Sequence, residues 1–315
     1  MYHHAASLDD AVRALAQPRA LPLGGGTDLL TFIDEGLAEP DVLVDLRDIP
    51  GAADIATGAD GSIRIGSAAR LDSIANHPGV RLDFPALAQA CEAVGTPAIR
   101  SMGTIGGNLC QRPRCWYFRR GISCLKSGGT DCPARDGENQ YLAILDAGPC
   151  FAVHPSDPAV ALTALDARLE IAGSRGTREL PIADFYVLPS QRVDTETVLE
   201  RGEFVLAIVL PPAAAGGRQF FEKLMQRATW DFSLACIAAT RRKTGDVRLV
   251  LGGAGPRPWR VNVSIEEDVA AGGVDEDAVE TLIQRALYDA KPLSRNGYKL
   301  DLAAALLRRA IAGIS

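Results

Sequence analysis

The chain has no apolar run approaching the roughly 20 residues that a membrane helix needs. It has no basic excess either: 33 Lys and Arg stand against 39 Asp and Glu, a net charge of −6, which argues against nucleic-acid binding across the whole surface. Its first residues, Met1-Tyr2-His3-His4, are not a charged segment leading into an apolar one, so no signal peptide is expected. No Ser-His-Asp set, paired catalytic carboxylates or HExxH motif is visible, and no internal repeat or low-complexity tract. The Walker pattern and the GxGxxG fingerprint are absent. Paired C-x(2–4)-C knuckles of structural zinc sites and the C-x2-C-x2-C run of ferredoxins are missing too.

Cysteine itself is not scarce. There are seven, an odd number that does not look like a secreted disulfide framework. Five of them, Cys110, Cys115, Cys124, Cys132 and Cys150, fall between residues 103 and 157. Residues 111–140 show neither the helix nor the strand period. So long a structureless run inside a compact chain is usually functional or disordered. The cysteines argue for order, with something held between them. Cys91 and Cys236 sit among apolar neighbours and read as small core residues.

With 315 residues, 47% hydrophobic and 23% charged, the chain suits two or three ordinary domains. Ser7 caps a helix over residues 8–15, because acids fill its first turn and Leu8, Ala11, Val12 and Leu15 share one face. Residues 20–23, 41–45 and 62–68 read as strands, 71–76 and 85–94 as helices. A short strand over 150–153 enters a rigid turn, a helix follows at 159–165, and a hairpin spans 168–180. The texture turns polar and proline-bearing at 189–197, where a domain boundary is expected. Beyond it come a strand at 204–210, then three antiparallel strands at 219–224, 234–241 and 247–252, and amphipathic helices at 275–286 and 300–312.

Two glycine-rich turns carry the first chemical signal. Leu23-Gly24-Gly25-Gly26-Thr27-Asp28-Leu29-Leu30 joins a strand to a helix. Its N–H groups are unpaired, and its glycines let an anion approach without meeting Cβ atoms, so a phosphate group fits there. The bland reading is a tight strand-to-helix turn. Gly103-Thr104-Ile105-Gly106-Gly107-Asn108 is the second turn. Two of them suggest one extended ligand gripped from both sides.

The cysteine loop carries the second signal. Gaps of 8, 7 and 17 residues separate Cys115, Cys124, Cys132 and Cys150. Four loop thiolates suit a 4Fe–4S cluster, a zinc ion or plain reduced thiols, and spacing does not choose among five cysteines. Arg112, Arg114, Arg119, Arg120, Lys126 and Arg135 surround them with one acid, Asp131. That charge suits tuning of a cluster, a solvated loop or a partner-docking face. Of Trp116-Tyr117-Phe118, at least one is expected to pack over the bound group or against a partner.

Together with His154-Pro155-Ser156-Asp157 and Phe221-Glu222-Lys223, the two glycine turns resemble the flavin-binding motifs of the FAD subunits of molybdenum hydroxylases, the xanthine dehydrogenase family. Arg114-Cys115-Trp116-Tyr117-Phe118, Cys124-Leu125-Lys126, Cys132 and Cys150 are similar to a loop that only two branches carry, in 4-hydroxybenzoyl-CoA reductase and in periplasmic aldehyde oxidoreductase. The overall length and Gly255-Pro256-Arg257-Pro258-Trp259-Arg260 look more like the aldehyde branch.

The resemblance implies an α+β fold: a two-subdomain FAD-binding region of the molybdopterin dehydrogenase, vanillyl-alcohol-oxidase-like type, then a C-terminal α+β domain with a three-stranded antiparallel sheet and helices. The expected boundaries are 1–55, 56–195 with the inserted loop at 111–150, and 196–315. FAD is expected on Leu23, Gly24, Gly25, Gly26, Thr27, Asp28, Leu29, Leu30, Thr104, Gly107, Asn108, Asp157 and Lys223, with Asp157 accepting from a sugar or ribitol hydroxyl and Lys223 neutralising charge. A 4Fe–4S cluster is expected on Cys115, Cys124, Cys132 and Cys150, with Cys110 a wall residue. The implied function is an electron-transfer subunit of a heterotrimer whose large subunit holds a molybdenum cofactor and whose small subunit holds 2Fe–2S clusters. The rival is a free-standing FAD oxidoreductase with a structural zinc loop. The chain's own sequence points to the cytoplasm; co-export with a partner carrying a twin-Arg signal would take it to the periplasm.

Overall fold

The structure is a computed structural model that describes every residue except Ala228 and Val274. Three sheets organise it. The first is parallel: β1 (Tyr2–His4), β2 (Ala20–Leu23) and β3 (Val42–Asp45), in the order β1-β3-β2. The helix Leu8–Leu15 crosses from β1 to β2, and Ser7 caps it by accepting from the Asp10 N–H at 3.2 Å. Ala11, Ala14, Leu15 and Val44 make its core. The first glycine turn leaves the carboxyl end of β2, where parallel sheets place their ligands.

The second sheet has five antiparallel strands in the order β4-β5-β8-β6-β7. They are β4 (Ile55–Thr57), β5 (Ile63–Gly66), β6 (Arg168–Gly173), β7 (Gly176–Pro181) and β8 (Phe204–Leu210). β8 follows the polar stretch at 189–197 yet pairs with β5 and β6, so this layer runs on to Leu210. Helices Leu71–Asn76, Pro85–Glu92 and Asp157–Ala164 cover it around Phe84, Leu87, Ile105 and Phe185.

The third sheet has four strands, not the expected three. Its order is β12-β11-β10-β9, from β9 (Arg218–Leu224), β10 (Ala235–Arg241), β11 (Val247–Gly252) and β12 (Trp259–Arg260). β12 is two residues long and lies behind Pro256 and Pro258, too short to show a period-two pattern. Helices Glu276–Ala286 and Tyr298–Ile314 pack on this sheet through Leu282, Ile283, Leu306 and Ile311.

The cysteine segment is ordered as a loop with two short turns of helix, Trp116–Arg119 and Leu125–Ser127. Residues 150–153 are irregular, not the expected strand. Two small apolar clusters sit under the loop. Phe118 stacks on Phe32 at 5.4 Å beside Cys124, and Cys132 packs with Ala134 and Leu142. The loop's exit is stitched to the C-terminal helix region by buried polar groups. Asn296 donates to the Leu142 carbonyl at 3.1 Å, and Lys299 donates to the carbonyls of Tyr141 and Gly253 at 3.0 and 2.7 Å. Among the described residues no carboxylate meets Lys299, and burial pulls its ammonium down to about 7.

Candidate functional site

The two glycine turns touch. A Cβ on Gly24 would run into the Thr104 hydroxyl, and one on Gly25 into the backbone carbonyl of Met102. A side chain is therefore opposed at 24 by the Thr104 side chain and at 25 by the protein's own backbone, before any ligand is considered. Gly26 adopts a φ of +72°, a conformation that favours glycine for a second reason.

Their hydrogen bonding differs. In the first turn the N–H groups of residues 24–29 have no hydrogen-bond partner among the described residues; the first one used is that of Leu30, bonded to the Gly26 carbonyl at 3.1 Å. That is a run of donors waiting for an acceptor. In the second turn the donors are spent. The N–H groups of Ile105 and Gly106 go to Ala69 and Ser67, and that of Gly107 goes to the Thr104 side chain, which caps the short helix Ile105–Leu109. The first turn is built to hold an anion. The second is strapped to the neighbouring loop and presents side chains, Thr104 and Asn108.

Asn108 accepts from the Ser156 hydroxyl at 2.6 Å. Asp157 and Lys223 form a buried ion pair at 2.7 Å, with Lys223 also donating to the Ala93 carbonyl at 2.9 Å. Ser233 donates to the other Asp157 oxygen. The Lys223 charge is thus already matched. His154 is buried, stacked on Tyr186 at 4.4 Å, with Nε2 3.3 Å from the Leu109 carbonyl. Burial drives its pKa down to about 4, so the ring is neutral at ordinary pH and shapes the turn.

These residues converge on one cleft. A cavity of about 600 Å³ is lined by Gly24, Gly25, Gly26, Thr27, Asp28, Leu29, Thr104, Gly107, Asn108, Asp157 and Lys223. Leu23 is buried at the end of β2 and Leu30 points its exposed side chain elsewhere; neither lines the cavity. A second cavity of about 640 Å³ adjoins it, bounded by Trp116, Tyr141, His154 and Leu234. Arg114, Pro155, Asp157, Arg227, Asp231 and Phe232 border both. The two together have the length and the mixed lining that an extended, part-aromatic, part-anionic ligand requires.

Four of the five loop cysteines, Cys115, Cys124, Cys132 and Cys150, line a separate small cavity with Tyr117, Phe118, Leu125, Lys126 and Ala152. It measures about 10 Å³, the room of roughly one water. Cys110 is elsewhere, on the wall of the flanking cleft. Desolvation raises the pKa of Cys115, and pushes that of Cys150 up to about 11. Such thiols ionise only when a cation replaces their protons. Among the described residues no group of three or more His, Cys, Asp and Glu is close enough to hold a single metal ion.

Four of the loop's basic side chains are engaged inside the protein, on two acids. Asp28 of the first glycine turn meets Arg114 at 2.9 Å and Arg119 at 2.8 Å, and accepts from the Arg112 N–H at 3.0 Å. Arg112 and Lys126 each reach Glu196 at 2.6 Å. Burial pulls the Arg114 guanidinium down to about 10 against the pull of Asp28. Arg114, Arg227, Asp231 and Phe232 were not legible as cleft residues, because nothing in their spacing links them to the glycine turns.

Compared with known proteins, residues 1–213 match the family described as FAD binding domain in molybdopterin dehydrogenase, and residues 220–314 match CO dehydrogenase flavoprotein C-terminal domain. The chain belongs to the FAD-binding medium subunits of the molybdenum hydroxylases. It is similar to the aldehyde oxidoreductase FAD-binding subunit PaoB of Escherichia coli K12, 34% identical over 96% of this chain and 93% of the relative. It is also similar to the putative xanthine dehydrogenase FAD-binding subunit XdhB of the same organism, at 28% over 93% of this chain and 87% of that one. A solved carbon monoxide dehydrogenase from Hydrogenophaga pseudoflava has the same fold, with a TM-score of 0.77 at 24% identity over 99% of this chain and 96% of the other. This medium subunit is therefore the FAD-binding part of an oxidoreductase, with the expected flavin-domain fold and a C-terminal sheet one strand larger than expected. Among the described residues no helix is long and apolar enough to cross a membrane.

Proposed function

We propose that this medium subunit is the electron-transfer flavoprotein of a molybdenum-containing aldehyde oxidoreductase, with FAD in the paired cleft and a 4Fe–4S cluster on the cysteine loop. The observation that carries the cluster reading is the sorting of the thiols: Cys115, Cys124, Cys132 and Cys150 share one cavity, and Cys110 is left out of it. A zinc ion needs four ligands converged on one point at about 2.3 Å, whereas cluster ligands stand around the corners of a cube. The gaps of 8, 7 and 17 residues between these cysteines lack the paired knuckles of structural zinc sites, which supports the cube.

When bound, the two groups supply one- and two-electron redox chemistry that no side chain of this chain offers. The protein's part is to bind and position. The unpaired N–H groups of residues 24–29 fit the diphosphate of FAD. Thr104 and Asn108 stand opposite with hydroxyl and amide donors. Asp157, held by Lys223 and Ser233, keeps lone pairs for a hydroxyl of the cofactor. Trp116, Tyr141 and Phe232 supply flat apolar surface in the adjoining cavity.

Aldehyde is the substrate class named for the 34% identical relative, and that similarity supports it here. Nothing in the cleft would oxidise an aldehyde unaided, so a molybdenum-cofactor large subunit and a 2Fe–2S small subunit complete the assembly. Co-purification of the native chain, with flavin, iron, zinc and molybdenum measured on the product, tests the reading. One flavin and four irons per chain, plus molybdenum on a co-purifying subunit, is the expected result. Zinc without iron on this chain, or aldehyde oxidation by the chain alone at the rate of the complex, would overturn it.

A further inference from the structure

Among the charged side chains lining the first cavity, two pairs are matched one to one: Lys223 with Asp157 at 2.7 Å and Arg227 with Asp231 at 3.8 Å. The rest share an acid: Arg112 and Lys126 both reach Glu196 at 2.6 Å. Asp28 has a single charge, and Arg114 and Arg119 both bind its Oδ1. Each shared acid therefore leaves one positive charge over; at Glu196 it falls to Lys126, which faces the cysteine cavity, or Arg112, which lines the first cavity alone, and at Asp28 to Arg114 or Arg119.

Arg114 is better placed than Arg119 to use it. Arg119 is turned into the loop, donating to the carbonyls of Pro113 and Arg112 at 2.8 and 2.9 Å. Arg114 borders both cavities. Its guanidinium lies over the Phe232 ring at 4.8 Å, which fixes its plane, and it donates to Gln111 at 3.1 Å. Its Nε is buried and has no partner among the described residues. A buried guanidinium N–H left without an acceptor is costly, and such donors are found where a ligand completes them.

We propose that Arg114 stabilises the negative charge that bound flavin acquires on reduction, so that the protein holds reduced FAD more tightly than oxidised FAD. The proposal rests on the assignment of FAD to this cleft. Oxidised flavin is neutral in its ring. Two electrons from an added reductant and one proton from water convert it to the anionic hydroquinone, which carries one new negative charge. An arginine remains protonated throughout and moves no proton itself. In a desolvated cleft its charge acts on that new anion at a low effective dielectric. The matched pairs contribute nothing comparable, because their fields cancel at short range.

The test uses the full chain purified with its flavin, in wild type, Arg114→Gln and Arg114→Lys. Flavin content is read from absorbance, iron content from metal analysis, and the flavin midpoint from dithionite titration against a reference dye. Arg114→Gln is expected to keep flavin and iron. Its preference for reduced over oxidised flavin should fall at least tenfold, a midpoint lower by about 30 mV for a two-electron couple. Arg114→Lys, which keeps the charge, should recover part of that shift. An unmoved midpoint in flavin-loaded Arg114→Gln overturns the proposal. So does loss of flavin from both variants, which would place the guanidinium on the oxidised cofactor. A wild-type chain that takes up no FAD would sink the cofactor assignment and this proposal together, so the two failures are told apart by the wild type.

Discussion

Asp28, in the first glycine turn, accepts a 2.8 Å charged hydrogen bond from Arg119, 91 residues away in the cysteine loop. The same carboxylate takes the Arg112 N–H and the Arg114 guanidinium. The phosphate-type turn and the cysteine loop therefore share one anchor. A cysteine loop with little apolar content is held to the flavin cleft by ion pairs, not by a large core of its own.

That anchor makes the first prediction. Asp28→Asn removes the charge and leaves Arg114 and Arg119 facing each other. The cluster is partly buried, so the cost should fall below the roughly 3–5 kcal/mol of breaking a fully buried pair. Flavin and iron contents should fall together in this variant. A loss of flavin with full iron, or the reverse, would show that turn and loop are independent.

The thiol sorting makes the second. Cys110→Ala should keep four irons per chain, because that thiol lies outside the cavity of the other four. Alanine at Cys115, Cys124, Cys132 or Cys150 should lose iron or leave a three-iron species. Because Asp28 couples the loop to the cleft, these variants should also bind flavin more weakly. Equal iron loss in Cys110→Ala and Cys124→Ala would mean the wrong four are assigned.

The third concerns Gly25. From sequence alone, a side chain there is expected to clash with the ligand. In the structure its Cβ meets the Met102 carbonyl first. Gly25→Ala should therefore destabilise the protein even without cofactor, by roughly 1–3 kcal/mol for overpacking against backbone. Urea unfolding of flavin-free wild type and variant measures it. Equal midpoints would place the pressure on the ligand side.

How much of this was legible depends on range. The strand-turn-helix at 20–34, the Ser7 cap and the main C-terminal strands are written in local patterns, and they stand where the sequence puts them. The cleft lining was legible too, because glycine, hydroxyl and amide in short motifs are local signals. The Asp28–Arg114–Arg119 cluster was not. Each residue looks like a turn acid or a loop base, and only tertiary structure reveals that one acid serves two bases. For the same reason Arg112, Arg114, Arg119 and Lys126 read as free loop bases, whereas each meets an acid of the chain. β12 was missed because two residues carry no period. Lys223 looked like a free cation because Asp157, its partner, is 66 residues earlier.

That pair gives the fourth prediction. Lys223→Met leaves Asp157 buried with only the Ser233 hydroxyl, and should cost about 3–5 kcal/mol. Adding Asp157→Asn should restore part of it, since the uncompensated charge is then gone. Additive losses in the double variant would mean the two residues do not interact energetically.

The last prediction concerns acid. Free histidine titrates near 6.5, and burial lowers folded His154 to about 4. A ring buried neutral binds its proton more readily in the unfolded chain. Above about pH 6.5 neither state is protonated there and its contribution is at its maximum; as the pH falls toward 4 the unfolded state gains protons and the fold weakens. The span corresponds to roughly 3 kcal/mol at most. His4 works the other way: its hydrogen bond to Asp48 raises its pKa, so it favours the fold at low pH, but it is fully exposed and its effect is small. Asp45, held at about 2 by Arg47 and Tyr2 against the cost of its burial, loses its contribution only below about pH 4. Comparing wild type with His154→Gln by urea unfolding at pH 7.5 and pH 5 therefore isolates this one ring. The wild type should lose more stability across that interval than the variant. Parallel losses in the two proteins would mean that the buried imidazole does not contribute to the acid sensitivity of the fold.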